Sequence, residues 1–211
     1  VKGDVNIKFD HVYQHNQTDL EFVLVRAARI NYEVLCDNTK LTFRKRDPSV
    51  DSGIELEWKQ ELEQFSARLS TGAQVSEVNV RAWDPDKHTE IVGKATAPGT
   101  SLGSEDAWAA AQKFGKAMWY DVDIPVTSVE AANAIAKAKL EELRMGFITG
   151  EGVARGNPNL KAGITIKIKT GDARFDGKYY VTGVSHTYSH SSKGSKGGFK
   201  TSIEVARNGD K

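Results

Sequence analysis

His186 and His190 stand four residues apart, a spacing that on a helix would set two imidazoles on one face for zinc. The surrounding run, YYVTGVSHTYSH, instead alternates as a strand, which puts them roughly 13 Å apart at ~3.3 Å rise per residue. Two ligands alone do not close a zinc site, and a histidine packed or hydrogen-bonded at a sheet surface is the plainer reading. Asp84 and Asp86 suggest an acidic calcium loop, but the glycine and glutamate that complete an EF-hand loop are missing. Pro85 between them makes a turn the simpler explanation. His88 beside either aspartate could belong to a triad, yet no serine sits in a G-x-S-x-G elbow. Gly150, Gly152 and Gly156 match neither a phosphate loop nor a dinucleotide fingerprint. Cys36 is the single cysteine, so it forms no intrachain disulfide, and its strand context predicts a buried, inert thiol. Trp58, Trp83, Trp108 and Trp119 are candidate stacking platforms for sugars or bases, although core or interface packing is the commoner fate. No catalytic, cofactor-binding or metal-binding residue is assigned, and a structural rather than enzymatic protein is expected.

The bulk properties agree with that expectation. The chain has 211 residues, enough for one large domain or two small ones. Charged residues make up 27% and hydrophobic ones 39%, an ordinary globular balance. The net charge of +1, from 29 basic and 28 acidic residues, leaves no electrostatic footprint for nucleic acid or an anionic membrane. No apolar run is long enough for a membrane span, so no membrane binding by this segment is expected. The start at Val1, within what reads as a strand, suggests a piece of a longer polypeptide.

Local patterns place these residues on elements. Val5, Ile7 and Phe9 alternate as a short strand. Thr18 and Glu21 form a capping box, and the apolar run Leu20, Phe22, Val23, Leu24, Ala27 predicts a helix covered over most of its circumference. Tyr32–Cys36 and Leu41–Arg44 read as a hairpin across Asp37-Asn38. Leu56 to Leu69 fits both periods, and strands are favoured because Phe65, Ala67 and Leu69 continue an alternation toward Val75 and Val78. Val78, Val80 and Ala82 then lead into the Asp84-Pro85-Asp86 turn and a return strand, where Gly93 marks a bend or a close backbone approach.

Glu105 to Phe114 reads as a helix ended by Gly115. A second helix, Val129 to Met145, follows a capping box of Thr127 and Glu130, with Val129, Ala132, Ala136, Leu140 and Leu143 as its apolar stripe. Strands resume after Gly146: Ile164 to Ile168, a hairpin turn at Asp176-Gly177, a long strand from Tyr179 to Tyr188, and a last one through Phe199, Thr201, Ile203 and Val205. Ser191 to Gly198 has the composition of a flexible hairpin tip.

Three segments together resemble the phage late control protein D family and the related VgrG proteins. The first holds Gln17, Thr18, Asp19, Leu20, Phe22, Arg26 and Ala28; the second is VNVRAWDPDKHTEIVGKA from Val78 to Ala95. The third runs through Gly156, Pro158, Leu160 and Gly163, then Asp176, Gly177, Tyr180, Val181, Val184, His186 and Ser189, and closes with Thr201, Glu204 and Arg207. Each motif is weak alone, and their order makes the signal specific. Departures are the Gly/Lys-rich tip and the lack of a further barrel-like domain before this region.

The resemblance implies an α+β, β-rich fold: a barrel-like tube domain with inserted helices beside a small strand–helix–hairpin lobe. Its boundaries would be a lobe at 1–46, the two parts of the tube domain at 47–103 and 146–211, and a helical insertion at 104–145. It further implies a baseplate hub of a contractile phage tail, prophage or injection system, joining tail tube to spike. The partners would be a homotrimer in the full-length protein, a tail tube protein and a spike protein. DNA or an effector would pass through the channel without specific binding. Location would be the tail baseplate of a particle synthesised in bacterial cytoplasm, with no cofactor. The alternative is a tail-associated carbohydrate-binding or hydrolase module.

Overall fold

The computed structural model describes residues 11–37, 39–96, 99, 101–113, 115–190 and 197–210. The strand expected at Val5 to Phe9, the helix end at Phe114 and most of the Ser191 to Gly198 tip lie outside the described residues. The chain is α+β and rich in strand, as its alternating patterns require. It divides into two compact units: Val1–Arg46 with Val75–Gly99 and Ala111–Leu143, and Asp47–Gln74 with Thr100–Ala110 and Arg144–Lys211.

The first unit opens with α1 (Asp19–Ala28), whose capping box is complete: Thr18 Oγ1 accepts from the Glu21 N–H and the Glu21 carboxylate accepts from the Thr18 N–H. The expected covering of this helix is absent. Only Ala27 is buried, while Leu20, Leu24 and Val25 are exposed. One hairpin, β1 (Tyr32–Asp37) with β2 (Lys40–Lys45), follows it where the sequence predicts one, with Cys36 opposite Leu41 and Asp37 opposite Lys40. Two later stretches add strands to this unit. In chain order they are preceded by β3 (Asp51–Glu57) and β4 (Leu62–Leu69) of the other unit.

The hairpin β5 (Glu77–Asp84) and β6 (Thr89–Ala95) is antiparallel, and its turn is held as the aspartates predict. The Asp84 carboxylate accepts from the N–H groups of Asp86 and Lys87, both at 3.1 Å. After β7 (Glu105–Asp106) and α2 (Ala107–Gln112), β8 (Met118–Asp121) adds parallel to β5. The sheet order is therefore β6-β5-β8, and these strands do not join the larger sheet where they were expected. One face packs on α3 (Val129–Met145): a Cβ placed on Gly93 would lie 2.2 Å from the Ala132 carbonyl carbon. Gly93 thus marks the close approach that the sequence suggested, and no other residue fits. The α3 cap differs from expectation. Ser128, not Thr127, is the cap residue, its Oγ accepting from the Ala131 N–H at 3.1 Å.

The second unit is a six-stranded sheet that continues with β9 (Ile148–Arg155), β10 (Thr165–Lys169), β11 (Gly177–Ser189), β12 (Gly198–Arg207) and β13 (Gly209–Asp210). Its order is β3-β10-β11-β12-β9-β4, with β13 paired to β7 apart from it. Consecutive strands β3 and β4 thus lie at opposite edges, yet only residues 58–61 join them. A flat sheet would separate those edges by about 24 Å at ~4.8 Å per strand, beyond the ~18 Å reach of that link. The sheet must therefore curl, and accumulated twist of about 20–25° per strand turns its edges toward one another. The result is a half-barrel.

Leu56, Leu62, Ile148, Ile166, Ile168, Tyr179, Val181, Ile203 and Val205 fill its core, against Ala107 and Ala110 of α2. Each such large side chain contributes about 1.5–3 kcal/mol of burial. Gly150 and Gly152 leave room on β9 for the Phe65 ring, which meets Tyr179 edge-on at 5.9 Å.

Two further local differences have clear causes. The helix predicted from Glu105 begins at Ala107, because Glu105 and Asp106 pair with Gly209 and Asp210 and the Asp106 carboxylate caps the Trp108 N–H at 2.7 Å. Asp176-Gly177 is not the tip of a hairpin but the entry to β11. There the Asp176 carboxylate accepts from the Thr170 N–H, the Thr170 hydroxyl and the Gly171 N–H.

Candidate interaction surfaces

The residues of the third sequence segment form a scaffold rather than a reactive centre. Arg207, buried, lays its guanidinium over the Tyr179 ring at 5.4 Å and donates to the Asp176 carbonyl at 3.0 Å. Gly177 has φ +140°, and an added Cβ there would press on that guanidinium at 3.0 Å. Buried Thr201 accepts from the Asn157 N–H at 3.0 Å and shares a 3.0 Å hydrogen bond with His186 Nδ1. His186 also leans on Phe199, 5.6 Å between ring centres, while His190 lies beyond the end of β11. Among the described residues no three His, Cys, Asp or Glu side chains converge on a common point. The spacing of 186 and 190 thus reflects position in and beyond a strand.

Electrostatics at the other candidates are those of turns and ladders. Asp84 is held below its ordinary value by its bond from Lys87 Nζ, 2.9 Å away, and by backbone N–H groups. Asp176 feels burial pushing its pKa up, but the hydrogen bonds from Thr170 and Gly171 outweigh this and lower it. Burial raises the Tyr179 pKa despite the nearby Arg207. Along β3, β10 and β11, Lys178 meets Asp51 at 2.9 Å and Glu55 pairs with Lys167 and Lys169. His88 takes φ +52° in the β5–β6 turn, which is a backbone role.

The outward face of the half-barrel is polar. By strand alternation it carries Gln64 and Ser66 of β4, Thr149 and Glu151 of β9, and Ser202 and Glu204 of β12. Glu151 and Glu204 are direct cross-strand neighbours, and Ser66 faces Glu151 from the other side. Two hollows of about 580 and 460 Å³ share Ser66, Glu151 and Glu204 in their lining. Their lining mixes these hydroxylated and acidic side chains with Phe65 and Val184 in the larger hollow and Arg68 in the smaller.

The first unit offers a contrasting surface. Trp83 is 60% exposed, Tyr120 54%, Met118 46% and Trp119 40%. Trp58, in the other unit, is 38% exposed and Trp108 is half-buried, so core packing is not the fate of these indoles. Cys36 is likewise exposed, because β1 turns from buried to exposed along its length and Cys36 sits toward the open end. Neither outcome could be read from local alternation, which says which residues share a face but not whether anything covers it. A separate hollow of about 240 Å³ lies among Val25, Ala28, Arg29, Ile124 and Ile135. Burial lowers the Arg29 pKa there, with Arg26 adding to the effect and Asp121 opposing it.

Solved structures share this architecture. A tail protein from Neisseria meningitidis is 14% identical, with a TM-score of 0.61 over 93% of this chain and 56% of its own. The 43 kDa tail protein of prophage MuSo2 from Shewanella oneidensis, also 14% identical, gives 0.63 over 89% and 54%. A component of the virion of a native gene transfer agent particle, 16% identical, gives 0.56 over 92% and 40%. The chain therefore has the fold of phage tail proteins, and it spans about half the length of the tail proteins it matches. No curated protein matches the sequence significantly. A family model described as the Alg8 N-terminal domain matches residues 3–190. The chain belongs to that Alg8 N-terminal domain family.

Proposed function

We propose that the chain is a structural component of a contractile phage tail or phage-like injection machine, the part of a baseplate hub that joins tail tube to spike. The observation that carries this reading is the fold shared with tail proteins over about nine-tenths of the chain. Three ordered sequence segments resembling late control protein D support the hub position in particular. The full-length protein acts as a homotrimer, contacts a tube protein and a spike protein, and resides in the particle's baseplate. Its work is done by surfaces, without enzymatic chemistry.

The polar outward face of the half-barrel is the channel wall in this proposal. The Glu151–Glu204 pair gives the centre of that face acidic character, which repels a passing polyanion such as DNA, while Arg68 lines one of its hollows. The test is fractionation of induced particles with the full-length parent protein tagged. Co-sedimentation with intact tails, and a solution mass three times that of the parent chain, are the expected results. A soluble monomer absent from the tail fraction overturns the proposal. Reversing both charges, Glu151→Lys with Glu204→Lys, leaves particles assembled and reduces delivery, because the wall then retains the cargo.

A second reading rests on the exposed tryptophans, which suit a tail-associated carbohydrate-binding module. Glycan-induced changes in tryptophan emission, abolished by Trp83→Ala, would favour it over the hub.

A further inference from the structure

His186 and Thr201 meet in a way that depends on one proton. Thr201 is 0% exposed, and its Oγ1 already accepts from the Asn157 N–H at 3.0 Å. Its single hydroxyl proton has one acceptor among the described residues, His186 Nδ1 at 3.0 Å. The bonds therefore run in one direction, from the Asn157 N–H to Thr201 and from the Thr201 O–H to a bare Nδ1. That arrangement requires a neutral imidazole with its proton on Nε2. An imidazolium carries protons on both nitrogens. Nδ1 then donates, Thr201 Oγ1 accepts twice, and the buried hydroxyl proton is left without a partner. Satisfying it means turning Oγ1 away from the pair, which gives up the Asn157 bond.

Packing keeps the ring where this change is felt. His186 is exposed, so protons reach it freely. Its ring lies 5.6 Å from that of Phe199 between centres. Phe199 in turn is held against the turn that follows β9: a Cβ on Gly156 would lie 2.0 Å from its ring, and the Gly156 N–H donates to its carbonyl at 2.9 Å. The phenyl face accepts either charge state of the imidazole, so protonation alters what Nδ1 does rather than where it lies. Strand alternation turns Lys200 and Glu204 of β12, and Glu151 and Arg155 of β9, to the opposite face, and Lys200 meets Glu63 there at 2.7 Å. The other titratable groups near this end are Tyr188 two residues along β11, His190 beyond it and Lys161 after the turn.

We infer that His186 is a proton-sensitive latch. Neutral, it holds Thr201 and through it the turn at 156–159; protonated, it releases that turn from β12. Histidine is the side chain whose ordinary charge change falls between about pH 5 and 8, so the latch opens on mild acidification. The inference does not depend on the tail reading. Its test is hydrogen exchange of the Asn157 amide in the full-length parent, followed by mass spectrometry with electron-transfer fragmentation and expressed relative to the intrinsic rate at each pH. The Val181 amide, which donates to the Ile164 carbonyl at 2.9 Å, is the internal reference. Between about pH 8 and about pH 5, protection at Asn157 should fall about fivefold or more while Val181 is unchanged. His186→Asn, whose side-chain oxygen offers Thr201 an acceptor that does not titrate, should keep Asn157 protected at both pH values. Thr201→Val should leave it poorly protected at both. Protection at Asn157 that ignores pH in the parent overturns the inference. So does a fall shared by Val181, or one that persists in His186→Asn.

Discussion

At the scale of single residues, the molecule's sharpest constraints are steric and electrostatic. Gly93 faces Ala132 so closely that Gly93→Ala forces β6 and α3 apart and should cost about 1–3 kcal/mol in urea unfolding. The buried Arg144 donates to Asp106 through Nε at 3.2 Å and through Nη2. Asp106→Ala removes a carboxylate partner of that buried guanidinium and should lower stability in urea unfolding by more than breaking the exposed Lys200–Glu63 pair, which should cost under about 1 kcal/mol. Asp176 gives a pH signature. Its folded pKa lies below the unfolded value, so its stabilisation is fully present above the ordinary carboxylate range and fades as pH falls through the folded pKa. Asp176→Asn should therefore destabilise at pH 7, and the gap from the parent chain should narrow below about pH 4 in chemical unfolding. Three tryptophans at 38% exposure or more predict red-shifted emission that iodide quenches. Motif positions such as Asp176, Thr201 and Arg207 were legible as a pattern in the sequence. Their scaffold role was not, since it depends on strands that meet only in the sheet.

At the scale of elements, caps and turns separate what local chemistry decides from what it leaves open. The Thr18–Glu21 box formed as written, since both partners lie within one turn. On α3 the sequence offers Thr127 and Ser128 side by side, and the hydroxyl at Ser128 makes the bond. Ser128→Ala should consequently cost about 1 kcal/mol and Thr127→Ala under about 0.5, a contrast that paired melting curves resolve. Strand pairs with short links, β1–β2 and β5–β6, appear as the predicted hairpins. Pairs made across long separations, such as β3 with β10 and β5 with β8, carry no local sign. The α1 helix shows the limit most plainly: its apolar run predicts a covered cylinder, yet within this chain only Ala27 is buried. An apolar pattern records that a surface is to be covered, not by which chain.

At the scale of the whole molecule, the half-barrel has a geometric cause. A six-stranded order whose outermost strands are joined by residues 58–61 cannot lie flat. Lengthening that link with a flexible Gly-Ser insert should leave the hydrophobic core intact while loosening the edges. Faster amide exchange confined to β3 and β4 is the expected readout.

What the sequence alone determined was what depends on neighbours along the chain: alternation, the Thr18–Glu21 box, the Asp84-led turn, a β-rich α+β class, and a resemblance carried by three ordered segments. Only the tertiary structure decided which strands share a sheet, that Gly93 faces Ala132, and that the tryptophans and Cys36 are exposed. The reason is physical. Local chemistry acts over a few residues of backbone, whereas burial and close approach are set by segments that meet only when the whole chain has folded.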